Sequence, residues 1–124
     1  MSGKYTTGID VVSVKRFKKI LTDTHFKERV FSDKELSYIF KSNNEDLQMN
    51  RMAARFAAKE AFFKAVPDVK DLIMKEVTVH HEADGRPYFV FSGRTKKIVE
   101  EKKLSFDISI SHDGGVAVAS VVCY

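Results

Sequence analysis

The 124-residue chain is 44% hydrophobic, and a chain of this length buries roughly two-thirds of its unfolded surface around one core, so residues 1–124 are expected to form a single domain. Nothing in it approaches the roughly 20 apolar residues of a membrane span, and residues 1–7 hold no long apolar run or small-residue cleavage site, so a cytoplasmic protein off the membrane is expected. A net charge of +4 with a pI near 9.2 favours an acidic partner, whether nucleic acid, phosphorylated ligand or acidic protein.

The first element is a strand over residues 5–12, after which Ser13 is placed to cap a short basic helix over 14–21. Lys15, Arg16, Lys18 and Lys19 concentrate charge there, and such a run ordinarily marks a solvated helix face. Ser32 with Glu35 three residues on is a capping box for a second short helix reaching about residue 41. Met49, Met52, Phe56 and Phe63 then recur at helical spacing and predict the longest helix over about 45–66, ended by Pro67. Strands over 77–81 and 87–91 flank Ala83-Asp84-Gly85-Arg86, where Asp-Gly signals a hairpin turn. A helix over 92–103 precedes a half-buried strand in which Phe106, Ile108 and Ile110 alternate with polar residues. Asp113-Gly114-Gly115 turns the chain into a last strand over 116–122, beside which the one cysteine, Cys123, is assigned to packing.

Two acids stand where apolar residues belong. Projected at about 100° per residue, Glu60 falls among Phe56, Phe63 and Met49 on the apolar stripe of the long helix. A charged carboxylate there costs several kcal/mol unless it is paired or binds a metal. A local Glu60–Lys64 pair, worth about 0.2–0.5 kcal/mol on an exposed helix, is too weak to justify the burial. Asp10 sits in Gly8-Ile9-Asp10-Val11-Val12, a strand whose neighbours are apolar. Hard divalent cations such as Mg²⁺ bind through one or two carboxylates plus substrate phosphates and water, which an Asp10/Glu60 pair matches; two separately satisfied structural acids are the alternative. Arg55, Lys59 and Lys64 set three cations around the same helix, facing phosphates or snorkelling to solvent. His112 ends its strand in phase with Ile110, as a ligand contact or a structural histidine. His80 and His81 are adjacent in a strand and point to opposite faces, so they are set aside as a metal site, as is His25.

Four segments together resemble the holo-acyl-carrier-protein synthase family of phosphopantetheinyl transferases. They are Gly8-Ile9-Asp10-Val11-Val12 with Arg16, Phe31-Ser32-Asp33-Lys34-Glu35-Leu36, the stretch from Arg55 through Lys59-Glu60 to Lys64, and Ile108-Ser109-Ile110-Ser111-His112. The resemblance implies an α+β fold, with a small antiparallel sheet packed against one long helix plus short helices. It also implies a homotrimer with an active site at each subunit boundary. Transfer of phosphopantetheine from coenzyme A to a carrier-protein serine follows as the expected reaction, with Mg²⁺ as cofactor. By the same resemblance Asp10 and Glu60 are Mg²⁺ ligands and Lys64 meets the diphosphate, with the serine proton going either to Glu60 or to water at the metal. Arg55 and His112 line the coenzyme A pocket, and Pro87 lies near the nucleotide. Arg16 and Lys19 belong to the docking surface for the acidic acyl carrier protein.

The chain departs from the family at two places. Val66-Pro67-Asp68-Val69-Lys70-Asp71 stands where a glycine-rich loop commonly follows the long helix, which turns attention to Lys70. Asn43-Asn44-Glu45-Asp46 stands where many relatives carry basic residues near the ribose 3′-phosphate, leaving Arg51 and Arg55 as the nearest candidates. A metal-dependent phosphohydrolase using the same acids and a basic nucleic-acid-binding module with some of its ten phenylalanines as stacking surfaces are the competing readings.

Overall fold

A computed structural model of the chain describes residues 4–66 and 70–124. Strand β1 (Thr6–Ser13) leads through a 3-10 turn (Val14–Arg16) into the one-turn helix α1 (Phe17–Ile20), then α2 (Thr24–Val30), α3 (Asp33–Ile39) and the 21-residue α4 (Glu45–Ala65). After a second 3-10 turn (Met74–Glu76) come β2 (Val77–His81), β3 (Pro87–Phe91), α5 (Gly93–Glu101), β4 (Phe106–Asp113) and β5 (Val116–Cys123). This is the expected α+β architecture, with two small antiparallel sheets in place of one. β1, β5 and β4 form a three-stranded sheet in that order, and β2 and β3 pair as a separate hairpin.

Local signals explain most boundaries. Ser32 and Glu35 make the reciprocal capping box of α3, and Asn44 caps α4 by accepting from Leu47 N at 2.9 Å. Ser13 caps nothing: its side chain makes no capping bond, and the following Val14 N donates to Gly115 O at 2.9 Å, so the basic segment stays a 3-10 turn plus one helical turn. Helix α2 carries no long apolar period, which is why periodicity passes over it. It is capped by Asp23, which accepts from Phe26 N at 3.0 Å, and anchored by buried Val30. Helix α4 ends at Ala65, and Pro67 lies outside the described residues.

The core of α4 is wider than its Met49, Met52, Phe56 and Phe63 stripe. Ala57, Ala58, Ala61 and Ala65 are fully buried against the sheet, and Phe62 is fully buried while Phe63 is only half-buried. One period captures one face, but α4 is clasped by the sheet on one side and by α1 and α3 on the other. Phe62 also binds the hairpin to the rest, with its ring 5.1–5.4 Å from those of Phe89, Phe91 and Phe106. At the start of α5 the Glu76 carboxylate accepts from Thr95 N (2.9 Å), Thr95 Oγ1 (2.8 Å) and Arg94 N (3.3 Å). These bonds, led by that from Thr95 N, hold Glu76 below the usual carboxylate pKa.

The closest approach of strand to helix is at Gly8. A Cβ there would lie 2.0 Å from Ala61 O and 2.8 Å from Ala65 N, and two residues away Thr6 Oγ1 donates to Ala65 O at 2.5 Å. Gly8→Ala is therefore expected to force β1 off α4 and cost about 1–3 kcal/mol or more, read as a lowered urea midpoint. An unchanged midpoint would mean that this contact is not fixed.

Candidate active site

Asp10 is on the sheet-inward phase of β1, in a lateral row with Ala119 of β5 and Ile110 of β4. Because Gly8 lets β1 close on α4, Asp10 meets the flank of that helix carrying Glu60 and Lys64. Lys64 Nζ lies 3.2 Å from Asp10 Oδ1 and donates to Ile9 O at 2.9 Å. The local Glu60–Lys64 pair weighed from sequence thus gives way to a bond across elements, 54 residues apart in the chain. Burial, and then the Asp10 carboxylate, hold Glu60 above the usual carboxylate pKa, against the pull of Lys64 and Arg16. The Asp10 and Glu60 charges thus act on each other across the contact of β1 with α4. Among the described residues no group of three or more His, Cys, Asp or Glu gathers for a metal, so this donor set is a pair that a hard cation would complete with phosphate and water.

Arg16 packs its guanidinium 5.2 Å from the Phe56 ring centroid and acts on Glu60, so the basic turn abuts the acids. Arg16 and Lys19 are exposed, whereas Lys18 reaches Glu45 at 3.8 Å in an exposed pair worth little.

Arg55, Pro87 and His112 come together elsewhere. They line one cavity of about 380 Å³ with Tyr38, His81 and Ile110 among its other walls, and Asp10, Glu60 and Lys64 do not line it. The helix explains the separation. At about 100° per residue, Glu60 and Lys64 project roughly 100° and 60° to one side of sheet-facing Ala61, while Arg51 and Arg55 project roughly 80° and 120° to the other. Arg55 is 4% exposed. It donates to Arg51 O at 3.2 Å, meets His81 Nδ1 at 3.3 Å and stacks 4.2 Å from the Tyr38 ring centroid. Burial lowers its pKa, partly offset by Tyr38 and Glu35.

His81, set aside in the sequence, belongs to this cavity. Burial, then Arg55 and His80, push its imidazole below the ordinary pKa. The adjacency reasoning concerned a metal shared by the two histidines, of which His80 stacks on Tyr88 with ring centroids 5.7 Å apart. It carried no information about which face of β2 would turn toward α4. Tyr38 was missed for a similar reason: an aromatic near the end of a short amphipathic helix gives no signal until α4 brings two arginines over it.

Lys59 neither faces phosphate nor snorkels. It is fully buried, ion-paired with Glu35, and donates to Val30 O at 2.7 Å and Met74 O at 3.1 Å. Glu35 also accepts from Ser32 N and Val79 N, each at 3.0 Å. The pair is a structural tie between α3, α4 and β2. Lys70 lines a different cleft, with Arg94 and Lys97, and residues 67–69 of the departing loop lie outside the described residues.

Residues 6–119 match a family model of the 4′-phosphopantetheinyl transferase superfamily, which places this fold among enzymes that transfer that group. The chain is 40% identical over 117 residues to the holo-acyl-carrier-protein synthase of Thermodesulfovibrio yellowstonii, spanning 93% of this chain and 94% of that relative. It belongs to the holo-acyl-carrier-protein synthase family. Among solved structures, the holo-acyl-carrier-protein synthase of Neisseria meningitidis aligns with a TM-score of 0.83 at 30% identity, over 96% of this chain and 97% of its own. The Helicobacter pylori enzyme, solved in complex with coenzyme A, aligns with a TM-score of 0.78 at 30% identity, over 95% and 99%.

Proposed function

We propose that this chain moves 4′-phosphopantetheine from coenzyme A to a serine of an apo-acyl carrier protein, releasing adenosine 3′,5′-bisphosphate, as a Mg²⁺-dependent cytoplasmic enzyme serving fatty acid biosynthesis. The observation that carries the reading is the Asp10–Glu60–Lys64 cluster in a chain similar to such synthases over nearly its whole length. Two mutually repelling, partly buried carboxylates fit a divalent cation, and Asp10 and Glu60 would hold it. Bound there, Mg²⁺ would offset the diphosphate's charge as it grows in the transition state.

The serine Oγ forms a bond to the β-phosphorus of coenzyme A while the bridging oxygen leaves with the bisphosphate. Lys64, 55% exposed at its side chain, is held beside the acids by Asp10 and Ile9 O and presents its ammonium to the diphosphate there. The serine must lose a proton as it attacks, and Glu60 is the carboxylate whose proton affinity the fold raises. Arg55, Pro87 and His112 receive the nucleotide end, their cavity combining apolar surface with cations.

A homotrimer is supported by the division of the site. The acids and the cavity lie on opposite flanks of α4, so one coenzyme A bridges them most simply when a neighbouring copy sets its cavity beside these acids. The outer face of the sheet offers apolar surface for such contact, with Ile9 and Val11 each 63% exposed.

Exposed Arg16, whose charge acts on Glu60, and exposed Lys19 on the same basic segment form the docking patch for an acidic carrier protein. Reversing both to glutamate is expected to raise KM for the carrier about tenfold or more while changing KM for coenzyme A little. Equal changes would refute docking at this patch. The nucleic-acid reading loses its stacking surfaces, since all ten phenylalanines lie in the core or pack against it.

The reaction is tested by incubating the enzyme with coenzyme A, Mg²⁺ and an apo-acyl carrier protein, with and without a chelator, and following the carrier's intact mass. A gain of one phosphopantetheine that the chelator abolishes is expected. Release of free phosphopantetheine without a carrier would point to the phosphohydrolase instead.

A further inference from the structure

The carboxylates suited to Mg²⁺ are already answered by cations of this chain. Lys64 Nζ donates to Asp10 Oδ1 at 3.2 Å, and a second bond to Ile9 O at 2.9 Å fixes the ammonium there. The Asp10 side chain is only 16% exposed, so the pair is not freely dissolved in solvent. Glu60, one turn before Lys64 on α4, feels the same ammonium. Arg16, whose guanidinium lies 5.2 Å from the Phe56 ring centroid, adds a second positive charge from the turn after β1. Among the described residues no third acid, histidine or cysteine joins the two carboxylates as a metal-ligating group. Two carboxylates thus face two cations, and their formal charges cancel. A divalent cation entering this cluster competes with an ammonium for Asp10 and brings two charges that the neutral cluster does not answer. The diphosphate of coenzyme A is a diester with two ionised phosphates, which supply the matching pair of negative charges. Taken alone, that diphosphate meets the two carboxylates. Each ligand therefore corrects the imbalance that the other creates, and this is a coupling free energy between them.

We propose that Lys64 and Arg16 are built-in counter-cations of the Asp10–Glu60 pair, so that this chain binds a divalent cation weakly by itself and takes it up together with the diphosphate. The proposal rests on the reading of Asp10 and Glu60 as metal ligands. It gives Lys64 a task before the substrate arrives, distinct from meeting the diphosphate: its ammonium holds the carboxylates in a charge-balanced state. By reciprocity, the metal strengthens coenzyme A binding by the same factor as coenzyme A strengthens metal binding.

Mn²⁺ is the probe, with free metal read from its paramagnetic resonance signal and no turnover required. Titrations are run above the carboxylate range, so that protons do not compete for the ligands, with and without coenzyme A, after subtracting what coenzyme A binds without protein. For the unsubstituted protein, coenzyme A should tighten Mn²⁺ binding by about 5- to 150-fold, the usual span of such couplings. Lys64→Met should bind Mn²⁺ alone on the order of tenfold more tightly than the parent, and coenzyme A should then add less. Lys64→Arg keeps the charge and should stay near the parent, whereas Arg16→Leu should move in the direction of Lys64→Met. A gain in affinity does not arise from a damaged fold, and melting curves identify a variant that has lost its structure. Mn²⁺ affinity that is unchanged in both folded charge-removing variants, or that is the same with and without coenzyme A in the parent, overturns the proposal. Asp10→Ala and Glu60→Ala separate the two levels of inference. If they abolish a tight binding that coenzyme A does not improve, the metal site stands and the counter-cation role falls. If they leave Mn²⁺ binding untouched, the metal site itself is refuted.

Discussion

Asp10→Ala and Glu60→Ala are each expected to cut Mg²⁺-dependent carrier modification by at least about a hundredfold, because loss of a direct ligand exceeds the 10- to 100-fold typical of losing an outer-shell partner. For Glu60 the effect on stability runs the other way. Burial and the Asp10 charge raise Glu60's pKa on folding, and a carboxylate raised in this way costs stability at any pH where it is ionised. That cost is present above the folded pKa and disappears as pH falls below the unfolded one. Removing the Glu60 charge at neutral pH should therefore leave the metal-free unfolding temperature unchanged or raise it. Two structural acids, each satisfied by its own partner, would behave oppositely: stability would fall and activity would survive. Melting curves with chelator, measured beside the mass assay, separate the two cases.

Lys59→Met and Glu35→Gln should each destabilise the fold by about 3–5 kcal/mol, the usual cost of leaving one member of a buried ion pair alone. Both side chains are inaccessible to solvent. Burial lowers the Lys59 pKa, while Glu35 opposes that shift. Without Glu35's charge, Lys59 retains two carbonyl acceptors, Val30 O and Met74 O, and has no anion. Without Lys59, Glu35 retains the Ser32 and Val79 amides. The double substitution Lys59→Met with Glu35→Leu removes both charges and should recover much of the loss in urea unfolding, although it also deletes the α3 capping box. Single variants unfolding within about 1 kcal/mol of the parent would show that water reaches the pair.

The elements that sequence reading found are those whose signals are local. The Ser32–Glu35 capping box, the Asp84-Gly85 turn, the 106–110 alternation and the length of α4 each depend on residues a few positions apart, and each appears in the fold. Asp10 and Glu60 stood out in the sequence because a carboxylate in an apolar pattern needs a partner even when the pattern does not name it. Ser13 carries the right side chain for a cap and makes no such bond; it ends β1, and the Val14 amide after it donates to Gly115 O from the far end of the chain. Only the tertiary structure decided that Lys64 bonds Asp10, that Lys59 is buried on Glu35, that His81 joins Arg55, and that acids and cavity fall on opposite flanks of α4. Residue type and spacing determine what a side chain can bond and which face of its own element it occupies. Which partner it receives depends on how the other elements pack against that face, and here packing turned on Gly8, where a Cβ would lie only 2.0 Å from Ala61 O and so hold β1 off α4.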